Sequence, residues 1–202
     1  MSENITRSIL NKIYNNGRGW TFSPKDFTAF GSAEAIHVAL HRLENKSTIR
    51  RVLRGIYDYP KYSSFLGCEM SPDIDQTAHA LARKFAWNIY PSGASALNLI
   101  GISTQVPARY EYLSNGPNRE YLIEQTELLF RHAALKESSF KLPESAIIVQ
   151  ALRNLGAEHI DGNVIAQIRE WLQPKMRKHV LRDTTKVSGW IYNAIREICM
   201  EV

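Results

Sequence analysis

Apolar residues return every three to four positions between Ile5 and Asn15, where Ile9, Leu10, Ile13 and Tyr14 share one face. That spacing predicts a first helix, ended by Asn16-Gly17-Arg18-Gly19. Trp20-Thr21-Phe22 then reads as a short strand. Ser23-Pro24-Lys25-Asp26 predicts a helix start, with Ser23 capping, Pro24 in the first turn and Asp26 closing a capping box. Gly31 ends that short helix and Ser32 caps the next, whose stripe is Ala33, Ile36, Leu40 and Leu43. Two helices joined by a tight Gly-Ser turn form a helix-turn-helix pattern.

A compact hairpin follows, Ile49-Arg50-Arg51-Val52-Leu53-Arg54-Gly55-Ile56-Tyr57. Ile49, Val52 and Leu53 are expected to pack inward, and Arg50, Arg51 and Arg54 to project near a turn that needs Gly55. Lys61 to Pro72 reads as a connection, and a second unit is expected from Asp73. Ile74 to Ala86 predicts a helix with Ala78, Leu81, Ala82 and Phe85 on its buried face. Trp87–Pro91 reads as a strand and Ser95–Ile100 as a short buried helix. Arg109–Ser114, Arg119–Gln125 and Glu127–His132 predict three more strands, punctuated by Asn115-Gly116-Pro117-Asn118. From Pro143 the pattern is helical: Ser145–Leu155, Asn163–Leu172, a basic piece Lys175–Leu181, and Ser188–Met200.

The fold class expected is therefore α+β in three parts. These are a winged helix-turn-helix over residues 1–62, a small mixed α/β middle domain over 63–140, and a helical C-terminal extension over 141–202. With 202 residues and 44% apolar side chains, the chain is long and hydrophobic enough to bury a core.

Charge sharpens this picture. The first 66 residues hold ten Lys/Arg against five Asp/Glu, an excess equal to the whole net charge of +5, so the remainder is neutral. A basic end on a neutral body points to a polyanion partner. A helix followed by a basic two-stranded flap is how a winged helix grips DNA, the helix in the major groove and the flap along the phosphates. The residues expected to touch DNA are Lys25, Ser32, Glu34, His37, His41, Arg42 and Asn45, with Arg50, Arg51 and Arg54 from the wing. Their plainer role is a solvated helix face and an edge strand protected by positive charge. A second basic group, Lys175, Arg177, Lys178, His179, Arg182 and Lys186, suits further DNA contacts, an acidic protein, or ordinary solvated helix surface.

Other chemistry finds little support. The chain has no GxxxxGK[ST] loop, GxGxxG turn, HExxH or GxSxG elbow. His37 and His41 are four apart, but no Cys or nearby acid completes a metal set. Pro91-Ser92-Gly93-Ala94-Ser95 opens a helix whose free amides suit an anion, yet no titratable residues converge there. Neither catalysis nor a cofactor nor a metal is expected. Cys68 and Cys199 form no metal or redox pair and are expected to be reduced. MSENITRSILNKIY lacks an apolar signal core and no apolar run reaches spanning length, so a cytoplasmic protein without membrane contact is expected.

The order of a helix, SPKDF, a helix built on ALHRLE and the wing TIRRVLRGIYDYP is followed by PSGASALNLIGISTQVPARYEYLSNGPNR and a strand ending FRHAALKE. Together these resemble the AbiEi-type antitoxins of bacterial type IV toxin–antitoxin systems, in particular a branch of uncharacterised relatives. The resemblance covers roughly residues 5 to 140, with the wing and the stretch from PSGASALNLIG to YLSNG as its specific parts. It implies a winged helix that binds inverted repeats in its own promoter and represses it. It also implies a further domain that counters a nucleotidyltransferase toxin. The DNA-binding role would fall on Ser32–Asn45 and Arg50–Gly55, in a homodimer if the site is two-fold; the tail from Pro143 to Val202 lies outside the resemblance. The competing expectation is a protein-interaction module whose winged helix joins a partner or a second copy instead of DNA.

Overall fold

The structure is a computed structural model that describes residues 2–103, 109–133 and 140–200. The chain divides into two compact units, Met1–Asn88 with Leu122–Thr126, and Ile89–Tyr121 with Glu127–Val202. It is an α+β protein, as its alternating periodicities predict.

In the first unit, α1 (Ser2–Asn16) buries Ile9 and Ile13. The strand β1 (Thr21–Phe22) leads into Pro24–Phe30, which forms a 3-10 helix instead of the expected α-helix. The Asp26 carboxylate accepts the Ser23 backbone N–H at 2.8 Å, as the capping pattern requires. Its other oxygen takes Arg83 at 2.9 Å, and the segment stops at Gly31 after seven residues. The next helix, α2 (Ala33–Asn45), starts where Ser32 Oγ accepts from the Ala35 N–H. It buries Ile36, Ala39, Leu40 and Leu43, while Ala33 is exposed. Its end is made by the Lys46 N–H donating to the Arg42 carbonyl and the Thr48 N–H to that of Leu43.

The hairpin consists of β2 (Arg50–Leu53) and β3 (Ile56–Asp58), joined by a two-residue turn. Both β1 and β2 pair antiparallel with the central β3, with Phe22 opposite Tyr57, Arg51 opposite Tyr57, and a bulge between Arg51 and Leu53. The core gathers Ile9, Ile13, Phe22, Phe27, Ile36, Leu40, Leu43 and Ile49. The Phe22 ring lies 5.3 Å from Phe27 and 6.3 Å from Tyr57. One helix-turn-helix and a three-stranded sheet around this core give the winged-helix order.

This unit does not end near residue 62. Residues 61–72, read as a plain connection, form a hairpin of β4 (Tyr62–Ser63) and β5 (Cys68–Glu69). The helix α3 (Ile74–Phe85) lies along β1 and buries Ala78, Leu81 and Ala82. A helix of that amphipathicity must bury its small-residue face, and the sheet of the winged helix supplies the surface. Phe85, expected on the buried face, is exposed and stacks on Trp87 at 4.8 Å.

The second unit contains β6 (Ile89–Pro91), α4 (Gly93–Ile100), β7 (Arg109–Ser114) and most of β8 (Arg119–Ile123) and β9 (Thr126–His132), with sheet order β6-β7-β9-β8. β6 runs antiparallel to β7, whereas β7 and β9 are parallel from Arg109 opposite Glu127 to Ser114 opposite His132. Four helices follow: α5 (Pro143–Leu155), α6 (Gly162–Trp171), α7 (Arg177–Asp183) and α8 (Gly189–Cys199). They are not an extension. Ala96 and Ile100 of α4 share one core with Ile148, Leu152, Ile168, Val180, Ile195 and Ile198. α4 packs on α5 as well as on β6 and β7, so the core of the middle segment is shared with the final helices and 63–140 is not a separate domain.

Candidate nucleic-acid interface

The exposed face of α2 carries Glu34, His37, Val38, His41, Arg42 and Asn45. They project because the buried positions use the opposite stripe. His41 lies 3.8 Å from Glu44, and its other ring nitrogen is 3.3 Å from the Asn45 amide. Glu34 is a capping group: its carboxylate bonds its own backbone amide and Ser32, which hold it below the usual carboxylate range. Ser32 is likewise engaged at the helix start. These two residues set where the helix begins, and His37, His41, Arg42 and Asn45 lie exposed along the rest of that face.

The three wing arginines part company. Arg50 does not project. Its guanidinium makes two bonds to Asp58, at 3.1 and 2.6 Å, and a third to the Met70 carbonyl at 3.0 Å. Asp58 is only 2% exposed, so a buried carboxylate directly opposite in the sheet captures the cation. Burial pushes the Asp58 carboxyl above the usual carboxylate range, and Arg50 opposes that only in part. Arg50 in turn is held more firmly protonated by its bonds to Asp58. Arg51 and Arg54 remain exposed, and among the described residues neither forms an ion pair.

A cation from outside the wing joins them. Lys84 of α3 donates to the Arg54 carbonyl at 2.9 Å, across the turn where Gly55 takes φ +71°. Loss of water on partial burial lowers the Lys84 pKa, and the charges of Arg54 and Lys25 add to that. Lys84 and Arg54 therefore bring two cations together at the turn of the wing. Lys84 escapes sequence reasoning because it stands 30 residues from the turn on a separate helix; its only local signal is the Arg83-Lys84 pair ending α3.

Ser95 Oγ accepts the Glu111 backbone N–H at 2.9 Å and ties α4 to β7. Cys68 is exposed, Cys199 is buried, and both are free thiols. No described helix is long and apolar enough to cross a membrane.

No curated protein matches the chain. Two chains of solved structures do. One is the crystal structure of the RV2827C protein from Mycobacterium tuberculosis, at 11% identity over 89% of this chain and 71% of that one, with a TM-score of 0.39. The pattern of one family, described as a family of unknown function, matches residues 8–180 and so spans both units. The chain belongs to that family, DUF6088.

Proposed function

We propose that the first unit binds double-stranded DNA as a winged helix. The observation that carries this reading is the pairing of two features. α2 presents His37, His41, Arg42 and Asn45 outward, and the adjoining wing carries Arg51 and Arg54, with Lys84 of α3 beside its turn and Lys25 on the preceding 3-10 helix, cations that no described carboxylate balances by an ion pair. Side chains on the helix face read base edges, and the wing cations fix register on the phosphates. Arg50 has no direct contact in this scheme; it holds the wing's base to Asp58.

The resemblance to AbiEi-type antitoxins supports a narrower version. There the site is an inverted repeat in the protein's own promoter, a homodimer occupies it, and the protein represses its operon and counters a nucleotidyltransferase toxin. The test is fluorescence anisotropy on the DNA upstream of the gene and on a scrambled duplex, at two salt concentrations. A preference of roughly a hundredfold or more is expected for the upstream site. Equal, salt-sensitive binding to both duplexes would reduce the protein to a non-specific binder. No binding at either salt would end the DNA reading.

One observation favours the alternative of a protein-interaction module. The β4–β5 hairpin presents Phe65, 95% exposed, and Leu66, 65% exposed, at its tip. A partner that co-purifies with the wild type and is lost with Phe65→Ser, while DNA binding is absent, is the result that reading requires.

A further inference from the structure

In the second unit, residues before α5, along α5 and α7, and ahead of α8 line an open cleft of about 780 Å³. That volume falls among sites that hold small molecules, roughly 300–1,000 Å³. Lys141, Arg153, Arg182 and Lys186 converge on it from separate stretches of chain, with the His179 imidazole beside them. Among the described residues none of the four forms an ion pair. The one carboxylate in the lining, Asp183, is already taken: it accepts the backbone N–H groups of Lys141 at 3.0 Å and Leu142 at 3.1 Å. A solvated helix surface disperses like charge or interleaves it with acids. Here four cations meet one carboxylate in a concave site, a net excess of positive charge that favours a multivalent anion.

We propose that this cleft binds an oligophosphate group, as free polyphosphate or as the phosphate chain of a nucleoside triphosphate. A triphosphate carries about four negative charges near neutral pH, and the lining sets four cations against a single carboxylate. The two guanidinium groups supply planar forks for phosphate oxygens, and the two ammonium groups add point charges. Phe140, Leu142 and Val187 give the cleft an apolar wall suited to an uncharged remainder. This site is independent of the DNA reading, which concerns the first unit.

Isothermal titration calorimetry of the full chain with tripolyphosphate, ATP and adenosine tests it. Both phosphorylated probes are expected to bind and adenosine is not. Arg153→Gln/Lys186→Gln, two exposed positions whose loss leaves the core untouched, is expected to weaken both by roughly tenfold per cation removed. An unchanged melting curve for this variant keeps the result interpretable. Equal affinity for the two probes identifies the phosphate chain as the whole ligand, whereas tighter ATP binding assigns the nucleoside to the apolar wall. Arg51→Ala/Arg54→Ala is expected to bind both probes like the wild type, which separates this site from DNA contact. The proposal is overturned if neither phosphorylated probe binds, if the double variant binds undiminished, or if the cleft takes only an oligonucleotide.

Discussion

Arg50, Arg51 and Arg54 differ in what surrounds them more than in where they stand along the chain. Arg50 meets a buried carboxylate, so its replacement acts on folding. We expect Arg50→Ala to cost about 2–3 kcal/mol, because it strips a nearly buried Asp58 of its countercharge. Urea unfolding reads this directly, and pH gives the sign. The folded Asp58 carboxyl holds its proton more tightly than the unfolded one. Stability is therefore lost as pH rises from the ordinary carboxylate value through the raised folded value. Without the guanidinium that window widens, so the deficit of Arg50→Ala should be larger at pH 7 than at pH 4. Arg51→Ala/Arg54→Ala should instead leave unfolding unchanged within about 0.5 kcal/mol, since both side chains are exposed. It should flatten the salt dependence of DNA binding by roughly 1.8 in log–log slope, about 0.9 per lost phosphate contact. An unchanged slope would remove the wing from the interface.

At the scale of elements, two glycines mark places where a side chain does not fit without cost. Gly55 closes the wing in the left-handed region, and a Cβ there would meet Lys84 Nζ at 3.0 Å. Gly55→Ala should cost roughly 1–2 kcal/mol from backbone strain and displace Lys84 from the Arg54 carbonyl. Gly93 lets α4 pack closely on α5; a Cβ on it would stand 2.4 Å from the Asn154 Cβ. Gly93→Ala should destabilise by about 1–3 kcal/mol, and Asn154→Gly in the same chain should recover part of that loss. Thermal or urea unfolding of the single and double variants is the check. If the double variant recovers nothing, the clash is not the cause.

At the scale of the molecule, the two cores have no residue in common. Leu152→Ala, in the core of the second unit, should cost about 2–5 kcal/mol while the DNA salt slope stays as in the wild type. A chain ending at residue 140 should lose more than a tail. Ala96 and Ile100 would be left without their α5–α8 neighbours, and dye binding to exposed apolar surface should rise. A truncated chain with an intact, cooperatively unfolding α4 and sheet would instead restore residues 141–202 to the status of an appendage.

Periodicity and punctuation determined the elements almost by themselves. α2 is legible from its stripe and the Ser32 cap, the wing from its arginines around Gly55, and β7–β9 from the strands either side of Asn115-Gly116-Pro117-Asn118. These signals are local, set by the geometry of a few neighbouring residues. Tertiary structure alone decided which of these elements share a core. It placed α3 on the winged-helix sheet and made the final helices the core around α4. It decided as well which cations remain unpaired. Arg50 is withdrawn by Asp58, Lys84 is brought to the wing, and Lys141, Arg153, Arg182 and Lys186 gather around a carboxylate already spent on backbone amides. A charge is visible in sequence, but its partner, and so its availability, depends on residues far along the chain.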